Sequence, residues 1–348
     1  MKRDASINSD GIDSLDRRRI IDHQAHWFPR AYLETLIGRS SYPVVERTAD
    51  GGYVLMFGDG VGQNGMDPLA ADIEEHVAQA TAAGVDALVI GPATLGEVLH
   101  LPGGEAAELL DRLHVEYAAA QRVRGDRLAF LAALPMQEPS VALEVLDRAI
   151  GELDLRGVSL IAHNEGRPLA AAANLPVFER IAELGVPLFL HPGFRSPTRG
   201  YTRTVRAENG LAWTFQTALA ALELVDGGVL DAVPNLVVVH PHLGGVLPYV
   251  AGRISPLPGS AASEPLEHYL KTRFYADTAQ ATPPALELAI RMYGADRIIF
   301  ASDHPFSPMS QLRRYVEDNV NPATAAQIYG NRVPGLSVAP TSQQEAAR

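Results

Sequence analysis

Histidine and aspartate residues stand at the ends of several short apolar runs in this sequence, where β-strands would end. His26 follows the first run, His191 ends the fifth, His242 follows the sixth and Asp303 follows the eighth. Neutral imidazole and carboxylate, without sulfur, form a ligand set suited to Zn²⁺, Mn²⁺ or Fe²⁺ in an open catalytic site. Residues two apart on an extended segment share a face, so Gln24 is expected to point with His26. If the run ends meet, these side chains predict a metal-dependent catalytic site.

Each of these histidines also has a simpler interpretation. A single histidine at a strand end is more often a hydrogen-bonded packing residue than a ligand. His163, which follows the fourth run, stays open between a supporting role and none. His240 and His242 share a face, so only one of them is expected to reach a site. The joint placement of four residues at run ends is what favours catalysis.

These residues need a fold that brings strand ends together. Apolar runs suited to strands covered on both faces occupy residues 19–22, 85–91, 128–134, 157–162, 186–191, 236–240, 274–278 and 297–302. Segments with apolar residues at helical spacing lie between them, at 69–83, 105–123, 140–153, 176–184, 215–230 and 284–293. The repeated alternation predicts a (β/α)8 TIM barrel, in which catalytic groups gather at the C-terminal strand ends.

The sequence predicts one barrel domain over residues 19–335, with flexible ends at 1–18 and 336–348. Glycines within residues 36–66 indicate a small hairpin inserted after the first strand. Residues 193–212 are rich in Arg, Gly, Thr and Pro and are predicted to form a long loop beside the active site. The first strand is not followed by a glycine-rich phosphate-binding fingerprint, which disfavours an open nucleotide-binding sheet.

Composition excludes several classes of protein. The 29 basic and 41 acidic residues of this 348-residue chain give a net charge of −12, which disfavours nucleic acid and anionic membranes as partners. The chain contains no Cys, so disulfides, thiolate metal sites and a Cys nucleophile are excluded. The polar N-terminus and the lack of an apolar run of about 18 residues predict a cytoplasmic protein without a transmembrane helix.

Several stretches, in order from about residue 20 to 332, resemble one family. They are Ile-Asp-His-Gln-Ala-His-Trp-Phe-Pro (21–29), Leu-Phe-Leu-His-Pro (188–192), His-Leu-Gly-Gly-Val-Leu-Pro-Tyr-Val-Ala-Gly-Arg (242–253), Phe-Tyr-Ala-Asp-Thr (274–278) and Ile-Ile-Phe-Ala-Ser-Asp-His-Pro-Phe (298–306). The set resembles the amidohydrolase-related family typified by aminocarboxymuconate-semialdehyde decarboxylase, which includes resorcylate-type aromatic acid decarboxylases.

The resemblance implies a distorted TIM barrel that holds one divalent metal ion, with Zn²⁺ favoured and Mn²⁺ as the alternative. Its metal ligands would fall on Gln24, His26, His191 and Asp303, and its proton-transfer residue on His242. Binuclear members of the wider superfamily bridge two metals with a carbamylated lysine on strand 4. Residues 157–162 contain no Lys, so a single ion is favoured.

Gln24 departs from the family pattern, which has His or Glu at this position. A neutral amide oxygen is a weaker metal ligand than imidazole or carboxylate. Two outcomes follow: three good ligands with a weak fourth, or a site without a tightly bound metal. Gln216 also departs from a Glu-Thr-Thr sequence found in many members, which predicts an altered polar contact near the site.

The family also implies a small anionic organic substrate and a homodimer. Arg253 is a candidate for binding a substrate carboxylate, in some members across the dimer interface, and the alternative is a surface ion pair. Arg195 in the predicted loop would favour an acid, while Trp213 would either stack on a planar ring or anchor a helix.

We expect a mononuclear metal-dependent decarboxylase of a small unsaturated or aromatic carboxylic acid, with His242 and Asp303 as catalytic residues. The first alternative is hydrolysis of an amide, lactone or C–C bond by the same site, and the second is a metal-poor relative that binds a ligand without turnover. The same residues serve decarboxylation and hydrolysis, so the sequence does not separate these two reactions.

Overall fold

The computed structural model describes residues 19–58, 61–195, 204–255, 258–279 and 282–338. Its strands are β1 Ile21–His26, β2 Val44–Arg47, β3 Tyr53–Gly58, β4 Val61–Met66, β5 Ala87–Gly91, β6 Leu128–Ala133, β7 Gly157–Ile161, β8 Leu188–His191, β9 Val238–His240, β10 Phe274–Asp277 and β11 Ile298–Ile299. Within the described residues, eight of these strands form one sheet in the order β1-β5-β6-β7-β8-β9-β10-β11, and each paired neighbour is parallel.

The sheet closes into a barrel where the segment after β11 meets β1. His23 donates its backbone N–H to Phe300 (2.9 Å), and Asp303 donates to Gln24 (2.9 Å). Hydrogen bonding of this kind removes the exposed edge that an open sheet would have. The predicted TIM barrel is therefore confirmed.

Helices follow most of the barrel strands and cover the outside of the sheet. They are α1 Arg30–Thr35, α2 Ile73–Ala82, α3 Gly103–Arg124, α4 Pro139–Leu146, α5 Leu175–Glu183, α6 Val205–Ala207, α7 Trp213–Asp226, α8 Val229–Ala232, α9 Leu247–Ile254, α10 Leu266–Thr272, α11 Pro283–Tyr293, α12 Met309–Asn319 and α13 Pro322–Gly330. None of the helices in the described part of the chain combines the length and hydrophobicity needed to span a bilayer.

The predicted hairpin is present as a separate antiparallel sheet, β2-β3-β4, between the first and second barrel strands. Residues 196–203 of the loop predicted at 193–212 lie outside the described residues, and the prediction is wrong for the part after them. Residues 205–212 are helical, as α6 and the π-helical turns Glu208–Ala212, and they run directly into α7. The apolar spacing of Leu211 and Phe215, four residues apart, continues upstream of the helix predicted at 215–230.

The first strand lies later than the predicted 19–22. The strand β1 continues to His26, and its polar residues are buried inside the fold instead of facing solvent. Its pairing with β5 shifts register between Asp22 and Ala25. Before the shift, the odd-numbered residue Ile21 points into the barrel interior. After it, the even-numbered residues Gln24 and His26 point inward and both approach Asp303.

Candidate metal centre

His26 and Asp303 form the centre of a buried polar cluster at the C-terminal end of the barrel. His26 Nε2 lies 3.0 Å from Asp303 Oδ1, and His26 Nδ1 lies 3.1 Å from the carbonyl oxygen of Gly91. A carbonyl oxygen only accepts, so Nδ1 carries a proton and donates it. In the neutral ring the lone pair of Nε2 then faces a carboxylate oxygen, and such a pair requires a proton or a cation between its atoms.

His191 supplies a second imidazole next to His26. It ends β8, and the two ring centroids lie 5.0 Å apart at an interplanar angle of 87°. His191 Nδ1 donates to the carbonyl oxygen of Pro192 (2.7 Å), which leaves Nε2 unprotonated. Burial lowers the pKa of His191 to about 3, so the ring is neutral at physiological pH.

The donor set fits a divalent metal ion in its chemistry. Two imidazoles each donate Nδ1–H to a backbone carbonyl, which is how metal-binding histidines are usually oriented. Two ligand atoms about 2.1 Å from one ion lie about 3 Å apart when their bonds meet at a right angle, as His26 Nε2 and Asp303 Oδ1 do. Among the described residues, however, no three His, Asp or Glu side chains already converge on a single point.

Gln24 faces the same carboxylate as His26. Its side-chain Nε2 lies 3.5 Å from Asp303 Oδ1, a long hydrogen bond in which the amide donates. In this orientation Gln24 presents N–H to the cluster rather than its oxygen. A turn of the amide about its last torsion would exchange the two atoms.

His242 follows β9, the sixth strand of the barrel, and begins the 3₁₀ turn His242–Gly244 with a positive φ of 57°. Its backbone N–H donates to Asp277 Oδ1 (2.9 Å), which also accepts from Ala279 (3.1 Å). Burial lowers the pKa of the His242 imidazole and the Asp303 charge opposes that shift. His240 instead lies behind the strand, 3.1 Å from the Tyr293 hydroxyl, so only one of this pair approaches the cluster.

Two buried carboxyl groups hold the backbone around the cluster. Asp22 accepts from the Ser302 hydroxyl, from the Ser302 N–H (3.0 Å) and from the Gln24 N–H (3.2 Å). It therefore ties β1 to the segment that carries Asp303. Burial raises the pKa of Asp22 to about 7 and that of Asp277 to about 8.

The contacts of the predicted substrate-binding residues Arg195 and Trp213 lie outside this cluster. Arg195 binds Glu165 (Nε to Oε1, 3.1 Å) and donates to the Phe57 carbonyl (2.8 Å), so its charge is already paired. Trp213 begins α7 and meets the Phe194 ring edge-to-face with a centroid distance of 5.2 Å. Arg253 is exposed on α9.

Sequence reasoning missed several residues of the site. Phe306 is 48% exposed, and its ring centroid lies 5.9 Å from that of His26. Asp22 and Asp277 lie on barrel strands at or near the run ends used to find Asp303, so the same rule could have found them. Glu97 gives no such signal, because it follows a turn after β5, yet it is fully buried and lies 3.6 Å from His163 Nε2.

The family model described as amidohydrolase matches residues 21–344 of the chain. Gamma-resorcylate decarboxylase of Polaromonas sp. is 31% identical over 211 residues, which cover 55% of this chain and 64% of that protein. The 2-amino-3-carboxymuconate-6-semialdehyde decarboxylase of Dictyostelium discoideum is 29% identical over 220 residues, 60% of this chain and 59% of that protein. The chain thus spans about three fifths of the length of these two relatives.

Solved structures share the barrel. The apo IDCase of Metarhizium anisopliae matches with a TM-score of 0.79 and 23% identity, over 90% of this chain and 95% of that chain. A dihydroxybenzoic acid decarboxylase of Polaromonas sp. JS666, solved with manganese and the inhibitor 2-nitroresorcinol, matches with a TM-score of 0.71 and 21% identity, over 89% and 94% of the two chains. At these identities the likeness establishes the fold.

Proposed function

The chain belongs to the amidohydrolase family, and from that membership we propose that it is a metal-dependent carboxy-lyase that removes CO2 from a small aromatic carboxylic acid. The observation that carries the proposal is the approach of His26 Nε2 to Asp303 Oδ1, 3.0 Å apart, beside the neutral imidazole of His191. The Polaromonas relative is named as a decarboxylase of gamma-resorcylate, an aromatic acid, and the Dictyostelium relative as a decarboxylase of an aminocarboxymuconate semialdehyde, an unsaturated acid. Unsaturated acids of muconate type are the second substrate class.

His26, His191 and Asp303 would hold the divalent ion, with Gln24 at the edge of the site as a weak fourth ligand or a hydrogen-bond donor. Mn²⁺ is the first ion to test, because a related decarboxylase structure contains it, and Zn²⁺ is the second. When bound, the ion supplies positive charge that attracts an anionic substrate and stabilises negative charge as the C–C bond breaks.

Loss of CO2 leaves a carbon that must gain a proton. We assign proton transfer to His242, a half-buried imidazole whose pKa is lowered by burial and whose cationic form is stabilised by the nearby Asp303 charge. Asp303, the carboxylate of the cluster, would share this role. Asp277 fixes the backbone of His242, so the imidazole leaves the strand in one direction.

An aromatic ring would pack against Phe306, which is half-exposed directly beside His26. Trp213, which packs edge-to-face against Phe194, would contribute a second aromatic ring. Arg195 would shape the wall rather than bind the acid, because its charge is paired with Glu165. Arg253 remains the candidate for the substrate carboxylate, from its own subunit or from a partner subunit of a homodimer.

Release of labelled CO2 tests this function. The protein is loaded with Mn²⁺ and given aromatic acids, 2,6-dihydroxybenzoate among them, that carry ¹³C in the carboxyl group. We expect ¹³CO2 and the decarboxylated ring in equal amounts, and loss of both in an Asp303→Asn variant.

Two other outcomes would replace the proposal. Turnover of amide or lactone probes to new acids, without CO2 release, would favour a hydrolase using the same residues. Tight Mn²⁺ and aromatic acid binding with no product of either kind would favour a ligand-binding protein.

A further inference from the structure

The chain directly after His191 is held by hydrogen bonds on three consecutive peptide groups. In the peptide that joins residues 192 and 193, the carbonyl accepts from His191 Nδ1 (2.7 Å) and the N–H donates to Gln216 Oε1 (3.1 Å). His191 and Gln216 therefore bind the carbonyl and the N–H of one planar peptide group. The orientation of this peptide sets the orientation of the imidazole.

The next two peptides are held by Gln216 and Glu97. The Gly193 carbonyl accepts from Gln216 Nε2 (3.2 Å), and the Phe194 N–H donates to Glu97 Oε2 (2.7 Å). The Arg195 N–H donates to the other Glu97 oxygen. Each of the two side chains thus bridges successive peptides, and together they leave no N–H from Gly193 to Arg195 unpaired.

Both side chains are shielded from water. Glu97 is 0% exposed and Gln216 is 3% exposed, so hydrogen bonds made here do not exchange readily with solvent. Gly193 fits tightly, because a Cβ on it would lie 2.7 Å from both His163 Nε2 and Ile161 Cγ2. The loop is therefore confined on the side facing β7 as well as by the two polar side chains.

We propose that Gln216 and Glu97 are positioning residues that fix the tautomer and ring plane of His191, and so direct its Nε2 into the metal centre. The metal-binding part of this inference rests on the proposed function. The positioning itself rests on the hydrogen bonds of residues 192–195 and holds whether or not a metal is bound.

The test uses full-length Glu97→Gln and Gln216→Met variants, which keep side-chain size and remove acceptors or both hydrogen-bonding groups. Glu165→Gln is the matched control, since within the described residues the Glu165 carboxylate bonds this loop at the half-buried side chain of Arg195 and not at its backbone. Two quantities are measured for each protein: the ¹⁵N shifts of His191 with amide exchange at Gly193 to Arg195, and Mn²⁺ affinity by electron paramagnetic resonance.

We expect both variants to expose the amides of Gly193 to Arg195 to faster exchange and to mix the tautomers of His191. Mn²⁺ affinity should fall by about 10- to 100-fold, as for other partners of metal-binding histidines, and by less than about twofold in Glu165→Gln. Should Gln216→Met fail to fold, Glu97→Gln decides alone, because it keeps a polar side chain of the same shape.

Unchanged His191 shifts in variants whose loop amides exchange faster would overturn the inference, as would unchanged exchange. If the parent protein binds no Mn²⁺, the proposed function fails and the NMR measurement decides the positioning role by itself. Equal loss of Mn²⁺ affinity in Glu165→Gln would also contradict the proposal, because it would trace the effect to general loosening of the loop.

Discussion

His26 Nε2 and Asp303 Oδ1 lie 3.0 Å apart although their residues stand 277 positions apart in the chain. The backbone brings them together where the barrel closes, since His26 donates its N–H to the His304 carbonyl (2.7 Å). The hydrogen bonds that close the barrel therefore also bring the two side chains of the cluster together. Changes to either side chain are expected to act on function much more than on the fold.

Asp303→Asn removes the anionic ligand without changing side-chain size. Mn²⁺ affinity should fall by more than about 100-fold, since loss of even an outer partner of a metal ligand costs about 10- to 100-fold. CO2 release should fall with it. Calorimetric titration with Mn²⁺ and a CO2 assay check this, and an affinity within a fewfold of the parent would remove Asp303 from the ligand set.

Asp277→Asn should leave stability and activity nearly unchanged, whereas Asp277→Ala should lower both. Burial raises the pKa of Asp277 to about 8, so the carboxyl group is mostly protonated at pH 7 and Asp277→Asn keeps a neutral acceptor for the His242 N–H. Asp277→Ala leaves two buried N–H groups unpaired, at a cost of about 1–3 kcal/mol each. Urea unfolding and kcat of the two variants should differ accordingly, and equal losses in both would contradict a hydrogen-bonding role.

Phe306→Ala should raise KM for an aromatic acid while leaving Mn²⁺ affinity unchanged. The expected increase is about 2- to 10-fold, from loss of an aromatic contact of about 0.5–1.5 kcal/mol. Phe215→Ala is the control, because that ring is similarly exposed, 47%, but lies on α7. A larger KM change in the control would place the substrate ring elsewhere.

Acid should destabilise the fold partly through His114. This buried imidazole accepts the Ala133 N–H (3.0 Å), and burial lowers its pKa from 6.5 to about 4. The unfolded chain therefore binds a proton between pH 6.5 and 4 that the folded chain does not. The stability contribution of His114 is complete above pH 6.5 and is lost as pH falls toward 4, by about 1.4 kcal/mol per unit at most.

His114→Gln keeps an acceptor for Ala133 and removes the proton-binding group. The free energy of unfolding of this variant, followed by urea titration from pH 7 to 4, should fall less steeply than that of the parent. His268→Gln should follow the parent curve, because His268 is exposed in the folded state. Parallel curves for His114→Gln and the parent would be inconsistent with the assigned role.

The barrel can be predicted from the sequence because each of its strands is marked by a short run of consecutive apolar residues. Apolar runs such as 128–134 and 186–191 lie on β6 and β8, since strands buried on both faces leave an unbroken apolar signal. The extent of β1 was not predicted, because its residues from Asp22 to His26 are mostly polar and are buried by closure of the barrel. The same polar residues form the cluster, so the strand lacks the apolar pattern from which the other strands were predicted.

The candidate site is predictable only where a residue stands at a run end. His26, His191 and Asp303 satisfy that rule, and the structure brings them together. Glu97 and Gln216 act on backbone groups of another segment, 97 and 23 residues away from their partners Phe194 and Gly193. Glu97 gives no signal in the sequence, and Gln216 stands out only through its departure from the family pattern. The hydrogen bonds that the two side chains make exist only once the chain is folded.

Metal content of the parent protein beside a Gln24→His variant tests the central claim most directly. Both proteins are purified without chelators and measured by inductively coupled plasma mass spectrometry, before and after loading with Mn²⁺. We expect about one divalent ion per chain in the parent and tighter binding in Gln24→His, because imidazole is a better ligand than an amide. A parent that stays metal-free after loading while Gln24→His binds one ion would contradict a functional metal centre in this protein.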